Sequence, residues 1–504
     1  MKDNERFIAV DLGTQGTKTA LMDARGNAIA RAFTPAVFLS EQGGVIAQDA
    51  NQIYEGVLRT IRDVMEQSGC DPRSVLAVGV VGQMAGILGV DEALHPVTEY
   101  DSGLDKRCES SVEELKRRCE EPILRQCGCP IIVAQGAKMF WWKENRPDAY
   151  RAVRAFLPIS SYVCCKMAGL SAKDAYIDDT HIHLTCMADN ERAEWSQELI
   201  DALGFDARKL PQIVSPAKKI GGVTKECAAL TGLMEGTPIA AGCGDTAASG
   251  LGAGLVRDNM LLDVAGTASI LAACVSRYSP DAQDKTLIFQ RSIVPGLWMP
   301  FSFVLGGQAL DWYQRQLCAR GEVSFAELDK EAREVQNDSL YFLPFFAGRV
   351  CPSNPNFSGH WLGMKFYHTR ANLYRSIMEA IAFEYRYYLE RLRAQLPESR
   401  FTKVYASGGG AKSTVFAQIK ADTLGLPFVP LKNKDTSHRA AALLAGQSIG
   451  RYEDVASAAL CMVEKEEEDA IAFNEASYAL NSARYQTYCQ LVSQMERVHR
   501  AVAL

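Results

Sequence analysis

Two aspartates lie close to glycine-bearing turns or strand ends, and the residues around them suit phosphoryl transfer. Asp11 opens the run Asp11-Leu-Gly-Thr-Gln-Gly-Thr-Lys18, which follows the apolar strand Phe7-Ile-Ala-Val10 and precedes Thr19-Ala-Leu-Met22. Met260-Leu-Leu-Asp263-Val-Ala-Gly-Thr-Ala-Ser-Ile-Leu271 repeats the plan far down the chain. Such a turn offers backbone N–H groups and a Thr hydroxyl to phosphate oxygens, and glycine lets the main chain come close. Two copies predict two hairpins that grip one polyphosphate from opposite sides, which points to a phosphotransferase. A third turn, Gly408-Gly-Gly-Ala411, follows Lys403-Val-Tyr-Ala406. None of the three is a Walker A loop or a G-x-G-x-x-G fingerprint, which argues against a P-loop NTPase and a dinucleotide dehydrogenase.

A hydroxyl that attacks phosphorus needs a base for its proton, and the leaving diphosphate needs a cation near the phosphates. Asp11, inside the first turn, suits Mg²⁺ held directly or through water. Asp245, between a buried strand (237–244) and a helix rich in small residues (246–254), suits the base. The plainer readings are a turn residue for Asp11 and a helix N-cap for Asp245.

The elements that position these residues alternate in α/β fashion. Strands are predicted over 7–10, 19–22 and 28–33. A helix over 50–67 is capped by Asp49, with Gln52 placed as in a capping box and Ile53, Val57, Ile61 and Val64 as its buried stripe. Val75-Leu-Ala-Val-Gly-Val-Val81 reads as a strand covered on both faces, ending at the loop Gly82-Gln-Met-Ala-Gly86. A less regular stretch, 95–225, reads as an insertion over the cleft. In the second half a long amphipathic helix spans 371–395, with Leu373, Ile377, Ile381, Tyr385 and Leu392 inward. Residues after about 450 read as a charged, solvated helical appendage.

The 504 residues are too many for one core. A net charge of −6 leaves no footprint for nucleic acid or an anionic membrane, and no apolar run approaches 18 residues. The chain start lacks a signal-peptide core, so a cytoplasmic address is expected. The 15 cysteines lack zinc-site spacing and read as buried free thiols. His181-Ile-His183 resembles a metal pair on a strand but has no third ligand nearby in sequence, so plain structure is the expectation.

The chain resembles the FGGY carbohydrate kinases, within the actin/Hsp70/sugar-kinase fold. The C-terminal signature runs from Gly359-His-Trp-Leu-Gly-Met364 through Asn372-Leu373 to Ser376-Ile-Met-Glu379. The N-terminal signature is partly met by Lys138-Met-Phe-Trp141 and Glu144-Asn145, with Gln135 where a small residue or Pro is usual. The Asp-x-Gly-Thr opening, the Gly-Gln-Met loop, Gly244-Asp245, the Gly-Gly-Gly-Ala loop and Gln418-x-x-Ala-Asp422 complete the set over residues 6–450. The resemblance implies two ribonuclease H-like (actin-like ATPase) lobes facing across a cleft: a sugar-binding lobe (1–243), a nucleotide-binding lobe (244–450) and the appendage (451–504). It implies an ATP-dependent, Mg²⁺-assisted kinase acting on a hydroxyl of a small sugar or polyol, similar to xylulose kinases. Asp245 is then the base and an acceptor ligand, and Asp11 the metal organiser. Nucleotide contacts fall on Thr14, Gln15, Gly16, Thr17, Lys18, Gly266, Thr267, Gly307, Asp311, Gly409, Gly410 and Ala411. Acceptor contacts fall on Gln83, Met84, Ala85, Asp105, Arg107 and Thr246, although a buried structural ion pair accounts equally well for Asp105 and Arg107. Two copies of the chain are expected to pair, with the rings of Tyr385 and Tyr388 serving either a contact or the core.

The departures bear on the acceptor. Ala85 replaces the His that xylulose kinases carry after Gln-Met, and Thr246 their Asn after the catalytic Asp. Val133 and Met84-Ala85 replace the Tyr and the Arg-Glu pair of glycerol kinases. Gly16 replaces a phosphate-loop Ser and Gly103 a Trp near the sugar. Asp435 and Arg439 replace a Glu and a small residue in the late Glu-x-x-x-Gly-Ala-Ala helix. Losing a side chain that bonds a substrate hydroxyl costs several kcal/mol in discrimination. A sugar-binding regulator without turnover is the rival reading, and the retention of both Asp11 and Asp245 counts against it.

Overall fold

The structure, a computed structural model, describes residues 4–41, 45–318, 323–432, 435–465 and 467–502. The chain forms two compact units, the first from residues 1–256, 289–298 and 435–463 and the second from the remainder.

A seven-stranded sheet organises the first unit. Arg6–Gly13 lies at its middle, antiparallel to Gly16–Asp23, which pairs in turn with Ala28–Pro35. On its other side Arg6–Gly13 runs parallel to Val75–Gly82, which takes Pro238–Ala240 and Cys243–Gly244 as parallel neighbours. Alternation along the first strand sends successive side chains to opposite faces. Ile8, Val10 and Leu12 join the core with Val57, Ile61 and Val64 of the helix Ala50–Ser68. Phe7 and Ala9 join a separate core built on Ala440 to Ala445 of the helix Thr436–Ser448. Asp11 follows on this second face. Asp49 caps the Ala50–Ser68 helix by accepting from the Asn51 amide; no bond from Gln52 completes a capping box.

Residues 95–225 contain the helices Glu109–Cys127 and Gln135–Asn145 around a core of their own, with Val112, Leu115, Met139 and Phe140 buried. The expected strand over 237–244 is broken into two short pieces, because the Ala241 and Gly242 amides turn away to Lys218 and Pro216 carbonyls.

In the second unit five strands repeat the order of five strands of the first. Met260–Ala265 is antiparallel to Ser269–Cys274, which is antiparallel to Trp298–Val304; Val404–Ser407 and Phe428–Pro430 follow in parallel on the other side. The helix Arg370–Gln395 buries Ile377, Ile381, Tyr385 and Leu392, while Leu373 is only half-buried. Tyr385 and Tyr388 are core residues, and their hydroxyls reach Asp263 and the Phe303 carbonyl.

Two boundaries differ from the sequence reading. Residue 243 lies inside the first unit, because Cys243 and Gly244 pair with Val81 and Gly82 and the following helix buries Ala247, Ala248 and Leu251 in the same core. Residues after 450 are not a solvated appendage. The segment up to Val463 belongs to the first unit, and in the second unit the helix Glu475–Val502 buries Tyr485 and Tyr488 and pairs Arg484 with Glu379. Its charge hid an inward stripe at 484, 485, 488 and 492. The fifteen cysteines are free thiols, most of them buried. Among the described residues no helix is long and apolar enough to cross a membrane.

Candidate active site

Strand register brings the two aspartates together. Asp11 lies opposite Val81, and Val81 opposite Cys243, so Asp245 leaves its strand two residues beyond the level of Asp11. All three strands run parallel, and both carboxylates therefore emerge at their carboxyl ends, where α/β sheets carry ligands. Both side chains are half-buried. Asp245 is the first residue of the helix Asp245–Gly252, whose N-cap position is Gly244; its side chain accepts from Thr246 Oγ1, at 3.2 Å, and is also met by the Thr246 backbone amide.

Burial pushes the Asp245 carboxyl up to about 6, the nearby Asp11 charge adds to this, and His181 and Thr246 hold it back. Burial also raises Asp11, opposed by His438 and by Lys18, its cross-strand partner. Among the described residues no donor bonds the Asp11 carboxylate. One of its oxygens lies 3.9 Å from where a Cβ on Gly13 would stand, so it is directed at the turn. A Mg²⁺ ion takes one or two carboxylates plus phosphate oxygens and water, and an unbonded carboxylate beside a phosphate-type turn fits that need.

The turn itself exposes Thr14 and Gln15, buries Thr17 and leaves Lys18 exposed. Gly16 has φ 146°, and a Cβ there would meet the Thr34 carbonyl at 2.1 Å. The absence of a Ser is thus dictated by the close third strand. A cavity of about 290 Å³ beside the turn is lined by Gly13, Gly16, Thr17, Gln48, Gln52 and Gln83.

The loop after Val75–Gly82 stays tied to the first strand through the Gln83 amide, which donates to the Leu12 carbonyl at 3.0 Å. Met84 is buried against Gly244, and its carbonyl accepts from Gln135 Nε2 at 2.7 Å. Ala85 and Gly103 are neighbours: a Cβ on Gly103 would stand 3.6 Å from that of Ala85 and, among the described residues, meet nothing else within 4 Å. Two small residues thus leave open space together among the described residues.

Asp105 and Arg107 form a buried ion pair at 2.7 Å. Asp105 also accepts from the Ile46 and Arg107 amides, while Arg107 reaches Glu99 and Asp101 and lies over the rings of Trp141 and Trp142. Both groups have these partners already, as a structural ion pair would.

In the second unit, Gly266 and Thr267 are exposed at the tip of the repeated hairpin. A Cβ on Gly307 would stand 1.9 Å from the Gly266 carbonyl, so the helix Gly306–Leu317 starts against the turn only because residue 307 has no side chain. Gln308 donates its amide to the Thr267 carbonyl at 3.1 Å. Gly408 and Gly410 both approach Ala265, which places the loop with Gly409 and Ala411 beside the same hairpin. Asp311 pairs with Arg315 one turn along its helix, at 3.1 Å.

Sequence reasoning missed several neighbours of Asp11 and Asp245. His438 sits in the late helix whose Asp435 and Arg439 drew notice. Tyr100 is buried and faces Asp245, which adds to the rise that burial imposes on its hydroxyl. Asp178 holds His181 at 2.6 Å, a contact that the His-x-His spacing obscured. His183 is pushed down to about 3 by burial, then by His181. The i, i+3 spacing of Asp178 and His181 was the available signal.

Two domains of the same strand order, each with a glycine-lined turn after its first strand, define the two-domain actin-like ATPase fold. Residues 6–252 match the N-terminal domain, and residues 264–448 the C-terminal domain, of the FGGY family of carbohydrate kinases. The chain belongs to that family and is an ATP-dependent sugar phosphotransferase. It is 25% identical to a probable L-xylulose kinase of Pasteurella multocida (strain Pm70) over 97% of this chain and 99% of the relative. It is equally similar, at 25%, to the L-xylulose/3-keto-L-gulonate kinase of Escherichia coli (strain K12), covering 98% of each. The crystal structure of a ligand-bound xylulose kinase from Lactobacillus acidophilus superposes with a TM-score of 0.88 at 22% identity, over 99% of this chain and 98% of that one.

Proposed function

We propose that the enzyme phosphorylates a hydroxyl of a pentulose-like sugar or related polyol, with Asp245 as the base. The observation that carries this reading is the emergence of Asp11 and Asp245 at the carboxyl ends of two parallel strands that flank Val75–Gly82, one carboxyl raised to about 6 and the other without a donor among the described residues. A base held near that value is ionised at neutral pH yet still takes a proton readily.

Asp245 accepts the proton of the acceptor hydroxyl. The oxygen then bonds to the γ-phosphorus of ATP as the bond to the β–γ bridging oxygen breaks, releasing ADP. Asp11 would hold Mg²⁺, which when bound offsets charge on the phosphate oxygens. Thr14, Gln15, Gly16, Thr17 and Lys18 offer N–H, hydroxyl and ammonium donors to the terminal phosphates. In the second unit, nucleotide contacts are assigned to Gly266, Thr267, Gly307, Asp311, Gly409, Gly410 and Ala411. Gln83, Met84, Ala85 and Thr246 contact the acceptor, whereas Asp105 and Arg107 shape its surroundings. The names of the relatives and the gap at Ala85 and Gly103 favour a ketose or polyol with more bulk at that side than xylulose. Such chemistry suits the cytoplasm, and two copies are expected to pair.

The test is ADP release by the purified protein over a panel of ketoses and polyols. Asp245→Asn should remove nearly all acceptor-stimulated release while ATP still binds. A fully active Asp245→Asn enzyme refutes the assignment, and acceptor binding without any turnover favours the regulator.

A further inference from the structure

Behind Asp245 lies a set of polar side chains that no step of the reaction uses. Asp178, Thr180 and His181 are fully buried in the first unit. Burying a carboxylate is costly unless its bonds are met, and here each oxygen has a partner. One accepts from the Thr180 amide at 3.1 Å and the Thr180 hydroxyl at 2.5 Å; the other takes His181 Nδ1 at 2.6 Å.

The direction of these bonds is fixed. A carboxylate only accepts, so the Thr180 hydroxyl spends its proton on Asp178 and turns a lone pair outward. That lone pair accepts from the Gly244 amide at 3.0 Å. Gly244 is the N-cap residue of the helix that Asp245 begins, and Thr180 therefore grips the backbone one residue before the proposed base. The Thr180 carbonyl is held in turn by Gln290 Nε2 at 3.1 Å. The second arm of Asp178 is His181, whose ring also meets the Gln83 backbone and whose charge acts on Asp245.

We propose that Asp178, Thr180 and His181 form a buried relay of positioning residues that sets the place and charge environment of Asp245 for phosphoryl transfer. The inference rests on the reading of Asp245 as base and adds how the fold holds it. Thr180 supplies the mechanical arm through Gly244; His181, its proton shared with Asp178, supplies the electrostatic one. The desolvation of His181 opposes its charge, and Asp178 and then Asp245 outweigh it, so the ring holds its proton more tightly than an ordinary histidine.

Thr180→Val keeps the side-chain shape and removes the hydroxyl. The expected result is a fall in kcat of roughly tenfold or more with the KM for ATP unchanged within about twofold. Thr180→Ser should restore most of the rate. In an Asp245→Asn background Thr180→Val should lower the residual rate no further, because residues that act through one another do not add. A wild-type kcat in Thr180→Val beside an inactive Asp245→Asn overturns the relay alone, as does a loss that multiplies on top of Asp245→Asn. A fully active Asp245→Asn overturns the relay and the base together. Should Thr180→Val fail to fold by circular dichroism, His181→Gln tests the other arm with the same outcomes.

Discussion

Lys420 Nζ lies 2.5 Å from Asp263 Oδ2, and both side chains are buried. Tyr385 donates to the other oxygen of Asp263 at 2.7 Å. Asp263 occupies in the second hairpin a place similar to that of Asp11 in the first, yet its bonds are filled. The repeated plan therefore carries one closed carboxylate and one open one. Removing one member of a buried pair leaves the other stranded, at a cost of about 3–5 kcal/mol. Asp263→Asn should lower the thermal midpoint by several degrees, read by scanning calorimetry. Asp11→Asn should leave the midpoint close to wild type and abolish Mg²⁺-dependent turnover.

The raised carboxyl of Asp245 sets a pH dependence. If the ionised form is the base, kcat should fall as pH drops through about 6 and level off above it, measured by ADP release across pH 4.5–8.5 (about that window, a pH unit or two either side). The sign for stability is the reverse. A folded value above the ordinary 3.8 means that the folded state binds the proton more tightly, so stability falls as pH rises from 3.8 towards about 6 and stays reduced above it. A rise from 3.8 to about 6 amounts to on the order of 3 kcal/mol. Asp245→Asn should therefore unfold at a higher temperature than wild type at pH near 8, and lose this advantage in acid.

The gap between Ala85 and Gly103 gives a specificity test. Gly103→Trp and Ala85→His fill the same space from two sides. Each should cut kcat/KM for bulky ketoses by roughly tenfold or more while sparing small acceptors, since steric exclusion acts on the substrate that needs the room. Equal losses for every acceptor would show that the gap does not border the acceptor.

Gly307→Ala puts a methyl group 1.9 Å from the Gly266 carbonyl. The hairpin tip or the helix start must shift to relieve it. The KM for ATP should rise roughly tenfold or more, with the acceptor KM within about twofold. Titration of the variant with an ATP analogue by calorimetry checks the binding part directly.

The fold was legible where period and turn chemistry agreed. Alternation in 7–10 and 19–22, the 3.6-residue stripe of 50–67 and the Gly-Thr turns each specify local structure, and they recur in order. Asp11 and Asp245 were readable because a strand end and a turn flanked them. The Thr436–Ser448 helix was not placed with the first sheet, since only tertiary contact shows that its alanines cover Phe7 and Ala9. His438 and Thr180 were invisible for the same reason: their partners lie 420 and 64 residues away. The tail after 450 was misread because its surplus of charge masked Tyr485 and Tyr488. Gly16 read as a lost hydroxyl, whereas the neighbouring strand leaves no room for any side chain.

The first sheet is begun by residue 6 but roofed by residues 440–445. A ribosome must synthesise the chain through the helix Thr436–Ser448 before that apolar surface is sheltered. Until then Phe7 and Ala9 stay wet on one side, and a nascent chain stalled before residue 435 has no means of completing the domain that bears Asp11. Assembly of this half thus waits on the late helix, which exposes the growing chain to chaperones for longer than its strand order alone would suggest.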